Sequence, residues 1–420
     1  MSTMMPTPPE QTRLPMAYRA GRDSGVATDD IALLVTEFAP EDQYFSFDRL
    51  PPFPVPWRHP LKCIGWITSL LFGMVSLVVL LATLAAFPIL NILALGYLLE
   101  AEGRVARTGK FSYAFPLLPL APRLGSIAVG VWLWLFLIRV VADAAQDAAV
   151  IAPGSPAATG WQVALVIVSI GVALHLLLAV ARGGGFWCFF RPLKNVLWLR
   201  TAIRQGDYFP RAEAAVREFI AALRIPHHFW LGLRGFIGTF LWLLPATALF
   251  ATLRDTSKPG QVILTLLGGI VLIPVLCWVP FLQAHFAAEN RLGAFLEVKR
   301  VRELYRRASI RCFLAIVVMY ALALPMYLFK IAAPPKDALW FETMIFIATI
   351  YPAKIFVGWS YARAQRCEAR QWWFLRWPLW IVLAAALAFY LFLLFFTPAI
   401  GAAGRRVLFD HHALLLPTPF

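Results

Sequence analysis

Eight apolar runs of about twenty residues or more alternate with short polar segments along this chain. They occupy residues 63–87, 124–142, 161–181, 229–251, 261–286, 312–331, 340–359 and 377–396. A helix rises about 1.5 Å per residue, so each run can cross a hydrocarbon layer of about 30 Å. The pattern predicts an all-α polytopic membrane bundle of about eight transmembrane helices (about seven to nine). Trp161, Trp230, Trp340, Trp359 and Trp377 fall near run ends, where an interfacial aromatic belt is expected. Pro245, Pro274, Pro325 and Pro352 fall inside runs and predict kinks, since neighbouring helices can satisfy the freed carbonyls.

Between the runs the polar segments are strongly asymmetric. Residues 88–123, 182–228, 287–311 and 360–376 carry 4, 8, 7 and 4 Lys or Arg, against 0, 2 and 1 in 143–160, 252–260 and 332–339. The positive-inside rule puts the first set in the cytoplasm, in a cell inner membrane, and by parity both termini outside. The uncharged stretch 63–99 is the ambiguous part. Over 37 positions it would reach roughly 55 Å as one helix. With no Gly, Asn or Pro near residue 80 to turn a hairpin, a single helix kinked at Pro88 and continuing along the surface is expected.

Residues 1–57 form a Pro-rich, mildly acidic tail expected to be disordered, 58–400 the bundle, and 401–420 a C-terminal tail. Ala101-Glu102-Gly103-Arg104 recurs as Ala288-Glu289-Asn290-Arg291, as parallel halves 63–252 and 261–399 would predict. Two connectors read as cationic amphipathic helices, 211–224 and 295–307. Their Arg211, Arg217, Arg224, Lys299, Arg300, Arg302, Arg306 and Arg307 are expected at lipid headgroups, or the helices dock under the bundle.

Composition agrees with a membrane protein: 60% hydrophobic and 15% charged residues, with a mean hydropathy of +0.69. The net charge of +15 lies in the connectors and matches anionic lipid headgroups; without aromatic–basic alternation it does not point to nucleic acid. Five widely spaced cysteines predict neither disulfides nor a zinc site. No metal site and no cofactor is assigned from the sequence.

Ionisable or amide groups inside spans are the default functional candidates. Asn91 follows Pro88 at the kink, and His175 lies well inside the third run. His285 and Glu289 share a helix face, with Glu100 and Glu102 expected at the same depth; a histidine and carboxylates can hold a divalent metal. Lys354 and Arg234, near span ends, read as snorkelling side chains. His227-His228 and His411-His412 are adjacent pairs that cannot chelate alone, because neighbours on a helix diverge by about 100°.

Phe281-x-x-x-His285 resembles one element of the bacterial glutamate-dependent intramembrane proteases. The family's adjacent Glu pair is replaced here by Glu100-Ala101-Glu102, and no later span carries its second histidine motif. Gly96-Tyr97-Leu98-Leu99-Glu100 with Phe115-Pro116-Leu117-Leu118-Pro119, and the stretch 280–295, resemble an uncharacterised group of bacterial and archaeal multi-pass membrane proteins. That resemblance covers two short patches and the alternation of spans, and implies no substrate or catalytic residue. The leading expectation is a non-enzymatic lipid-interacting or envelope-organising protein. The alternatives are a small-solute permease and an intramembrane metal-dependent hydrolase.

Overall fold

The computed structural model describes residues 53–55, 57–204, 206, 208–250, 259–331, 339–396 and 414. Among them lie twelve α-helices, three short 3-10 turns and no strand. The helices are α1 (Pro60–Ala86), α2 (Leu90–Thr108), α3 (Ala121–Ile151), α4 (Pro156–Ala181), α5 (Pro192–Arg204) and α6 (Tyr208–Leu223). They continue as α7 (Ile225–Phe250), α8 (Pro259–Glu289), α9 (Val298–Arg307), α10 (Ser309–Ile331), α11 (Leu339–Gln365) and α12 (Trp373–Phe396). Among the described residues seven stretches are long and apolar enough to cross a membrane, or eight if the α9–α10 pair, bent by 111°, is counted as one span. The protein is a multi-pass helical membrane bundle. The tail 1–57, apart from 53–55 and 57, and the tail 401–420, apart from Leu414, lie outside the described residues.

The eight apolar runs all appear as helices, each lengthened at one or both ends. Helices α7, α8, α10, α11 and α12 run through internal prolines without a break. The outer helices are apolar all round, with one narrow face turned inward. On α1 the buried face is Gly73, Leu77, Leu81 and Ala85, a four-residue repeat, while Leu71, Val75 and Val79 are exposed. In a membrane those exposed side chains face lipid.

The stretch 63–99 departs from expectation. It is two helices, broken at Phe87-Pro88-Ile89, where Ile89 takes a left-handed φ of 72°. A β-branched residue in that conformation is uncommon, which is why the turn carries no glycine signal. The second helix, α2, is buried without interruption from Ala94 to Ala106. It does not lie on the surface.

Close contacts give the direction of α2. A Cβ on Gly96 would collide with the His228 carbonyl, and one on Gly232 with the Ile92 carbonyl, so α2 and α7 are antiparallel. Along α11 the order is parallel: Tyr97 meets Tyr351, Glu102 meets Lys354, and Thr108 meets Arg366. Helix α2 thus starts deep in the bundle and emerges at the end where α7 begins and α11 ends. Midway along α1, Gly73 and Ser76 pack on Pro122 and Gly125, and Phe72 on Phe186, all near that same end. The pair α1–α2 is therefore a helical hairpin entering and leaving at one end, which places the start of α1 beside the basic connectors.

Glycine permits the tight crossings at the centre. Gly232, Gly235 and Gly238 form a stripe on α7 that receives the Ile92 carbonyl, the Leu99 side chain and the Phe295 ring. Small residues at such crossings let backbones approach where lipid supplies no hydrophobic drive for helix association.

Candidate functional site

The chemistry of the bundle is concentrated in a layer of buried polar groups beneath its basic end. Helix α2 supplies the first of them. Glu100 accepts from Arg104 Nε at 2.8 Å, one turn along the helix. From α7 the His227 Nε2 reaches its other oxygen at 3.2 Å, and Arg224 Nη1 approaches to 3.8 Å. Arg104 and Glu100 are both buried. A carboxylate at this depth persists because cations converge on it; unpaired, it would cost several kcal/mol.

Glu102 points to the other side of α2. Its Oε2 lies 3.3 Å from Lys354 Nζ, with side-chain exposures of 0% and 1%. Lys354 also donates to the Gln283 carbonyl on α8. The Gln283 amide donates in turn to Thr239 Oγ1 at 2.6 Å and to the Leu414 carbonyl at 2.9 Å. Lys354 therefore does not snorkel. It is buried because α2 places an acid against it, and the missing Cβ of Gly358, which would lie 2.5 Å from the Glu102 carbonyl, lets the helices close.

A third group lies at the end of α8. His285 is fully buried, with Nδ1 2.7 Å from the Tyr361 hydroxyl and Nε2 2.8 Å from Glu297 Oε2. Glu289 Oε1 stands 3.6 Å from Nδ1. Arg291 binds both Glu289 and Glu297. The Glu297 carboxyl is held below its ordinary range by its bonds to His285 and Arg291. Glu102, expected beside His285, belongs to the Lys354 pair; Glu297 takes that place. A chain reversal delivers it, made by Asn290 at φ 53° and the 3-10 turn Leu292–Leu296.

The remaining expected site residues lie elsewhere. Asn91 is half-buried in the first turn of α2, and its backbone N–H binds the Phe87 carbonyl at 3.0 Å. His175 packs on Trp134 and bonds the Phe189 carbonyl at 2.9 Å, anchoring the aromatic stretch after α4. All five cysteines are free thiols, three of them buried.

Above the polar layer the four basic connectors interlock. Arg107 donates to the Ala287 and Ala288 carbonyls at 3.0 and 3.2 Å, capping the end of α8. Arg366 caps α2 through the Thr108 carbonyl at 2.7 Å. Helix ends leave unpaired carbonyls with partial negative charge, which arginine satisfies well. Arg370 reaches Glu303 at 3.0 Å, the Gln371 N–H reaches the Arg306 carbonyl at 2.9 Å, and the Arg123 guanidinium lies 4.4 Å from the Phe219 ring. The four segments thus share one end of the bundle.

The headgroup candidates divide there. Arg224 turns inward to Glu100, while Arg306 and Arg307 pair with Glu303. Arg217 is exposed beside Glu213 on α6, and the Arg211 side chain lies outside the described residues. Lys299, Arg300 and Arg302 are exposed on α9, whose opposite face, Val301, Leu304 and Tyr305, is buried in the bundle. Tyr305 fixes that docking by donating to the Cys277 carbonyl at 2.7 Å. The expected helix over 295–307 is thus two pieces, with Phe295 in the 3-10 turn and packed on Phe286.

Sequence reasoning overlooked Lys354, Glu297 and Tyr361 as members of the polar layer. Lys354 carried a signal, being a charge inside an apolar run; Glu297 and Tyr361 carried none, because their partner His285 is brought near only by the fold. No family model matches this chain, and neither a curated protein nor a solved structure was found to be similar to it.

Proposed function

We propose that this protein is a non-enzymatic membrane scaffold that gathers anionic phospholipid headgroups against the basic end of its bundle. One observation carries the reading: α9 is docked across that end by Val301, Leu304 and Tyr305 and leaves Lys299, Arg300 and Arg302 exposed, Arg300 also reaching the Tyr361 hydroxyl. Three of the acids at this end, Glu100, Glu297 and Glu303, are each engaged by arginine or histidine. Lys299 and Arg302 are exposed cations that can meet phosphate. Exposed Trp372, Trp373 and Trp377 at the start of α12 supply the amphipathic rings that favour the headgroup level. By the positive-inside rule this end faces the cytoplasm, in the inner membrane of a bacterial cell. Transport of a small solute has less support, because α2 fills the centre of the bundle with buried side chains and its charges are paired.

The test is lipid retention. Full-length protein exchanged into an equimolar mixture of phosphatidylglycerol and phosphatidylcholine should carry phosphatidylglycerol in excess through purification, as read by mass spectrometry. Each basic residue near a surface contributes about 1 kcal/mol of attraction, so Lys299→Ala, Arg300→Ala and Arg302→Ala together should weaken retention by up to about 100-fold. Equal retention of both lipids, or retention unchanged in the triple variant, contradicts the proposal.

A further inference from the structure

The end of α8 holds a ligand set that the lipid reading does not use. His285 is fully buried, yet Glu289 and Glu297 beside it are about one-third exposed, so the group opens to water on one side only. One ligand atom from each of the three residues can be chosen so that all lie within 4.8 Å of one another. The carboxylates already share a cation. Arg291 Nη2 lies 2.5 Å from an oxygen of each, on a side chain that is itself 56% exposed.

We propose that His285, Glu289 and Glu297 form a divalent-metal site, suited to zinc or a similar first-row ion, in which Arg291 is the displaceable cation. One imidazole and two carboxylates at bonds of about 2.0–2.2 Å are an accepted zinc set that leaves a fourth position to water. A tetrahedral ion with such bonds needs ligand atoms roughly 3.4 Å apart, a contraction the partly exposed carboxylates can make by rotation. Two carboxylates and a neutral imidazole form a ligand set of charge about −2 once Arg291 swings out, with the Arg300 guanidinium remaining beside Tyr361, and a divalent ion neutralises that set.

The outer partners fit the same role. The Tyr361 hydroxyl meets Nδ1 and is itself held by Gln365 Nε2 at 2.6 Å, so Nε2, facing Glu297, is the nitrogen left for the ion, and Glu289, now 3.6 Å from Nδ1, has to rotate toward it. A metal-bound imidazole commonly keeps its second nitrogen on such an oxygen, which fixes ring and tautomer. On binding, the ring changes tautomer: Nε2 loses its proton to water as it leaves Glu297, Nδ1 takes one up, and Nδ1–H donates to the Tyr361 oxygen, whose own O–H turns away, so the imidazole stays neutral. The ion would tie the last turn of α8 to the residue that opens α9, and so clamp the reversal at Asn290.

The experiment uses full-length protein in detergent, stripped with a chelator and titrated with Zn²⁺ alone against a chromogenic competitor. One ion per chain is expected. Glu297→Gln should weaken binding at least tenfold by removing a charged ligand. Arg291→Gln, at an exposed position outside the packed core, should tighten binding about tenfold because the internal competitor is gone. Tighter binding in that variant distinguishes this site from adventitious zinc on other histidines, which Arg291 does not touch. Binding below one ion per chain, binding unaltered by Glu297→Gln, or binding unaltered or weakened by Arg291→Gln would each overturn the proposal.

Discussion

Replacing Lys354 by methionine should destabilise the bundle severely, and replacing its partner as well should rescue most of the loss. The ammonium lies 3.3 Å from Glu102, both side chains being cut off from solvent. At an effective dielectric of about 20, a pair at that distance attracts by about 5 kcal/mol, set against desolvation of two charges. Lys354→Met leaves Glu102 buried among α2, α8 and α11 without its cation, and breaking a buried pair in this way costs about 3–5 kcal/mol. Glu102→Met should cost a similar amount. The double variant has no charge to strand; its remaining cost is the buried Gln283 carbonyl, which loses the Lys354 donor, about 1–3 kcal/mol. The assay is unfolding of purified protein in mild detergent by increasing SDS, followed by tryptophan fluorescence. A double variant whose loss equals the sum of the singles would refute the pairing. A loss below about 1 kcal/mol for Lys354→Met would mean that the side chain reaches water or headgroups.

Gly232→Ala should cost at least about 1–3 kcal/mol, because its Cβ meets the fixed Ile92 carbonyl rather than a movable side chain; an unchanged SDS midpoint would contradict the α2–α7 crossing. Acid should loosen the α8–α9 corner. The Glu297 carboxyl is held low by His285 and Arg291, so its contribution is present above the unfolded-state value of about 4.3 and is lost as pH falls through the lower folded value. Protection factors across residues 290–297, taken relative to the intrinsic exchange rate at each pH, should fall below about pH 4, and Glu297→Gln should show low protection already at neutral pH. Protection in the variant equal to wild type would argue against that link.

The spans were legible because length and apolarity alone decide whether a helix can cross lipid. The clustering of basic connectors at one end followed from the same alternation. What escaped was the role of α2. Glu100, Glu102, Arg104 and Arg107 give residues 100–108 the polarity of a surface segment, and only contacts with α7, α8 and α11 explain its burial. The hairpin escaped for a related reason: its turn rests on Ile89 in a conformation that sequence rules reserve for glycine or asparagine. His285 was identified on the face it shares with Glu289. The third carboxylate was assigned to Glu102, because equal depth along two helices says nothing about the direction in which each side chain points. Glu297, placed within a cationic helix, reaches His285 only through the reversal at Asn290.

The proposed orientation puts the four basic connectors and the start of α1 on one cytoplasmic face. It can be tested by cysteine accessibility in intact cells. With Cys63, Cys188, Cys277, Cys312 and Cys367 replaced by alanine, single cysteines are placed at Arg58, Lys299, Arg370 and Gly154, all exposed positions. A membrane-impermeant maleimide should label only the Gly154→Cys protein until the cells are permeabilised, after which all four should react. Labelling of Arg58→Cys from outside would contradict the α1–α2 hairpin, and labelling of Lys299→Cys would contradict the orientation of the whole bundle.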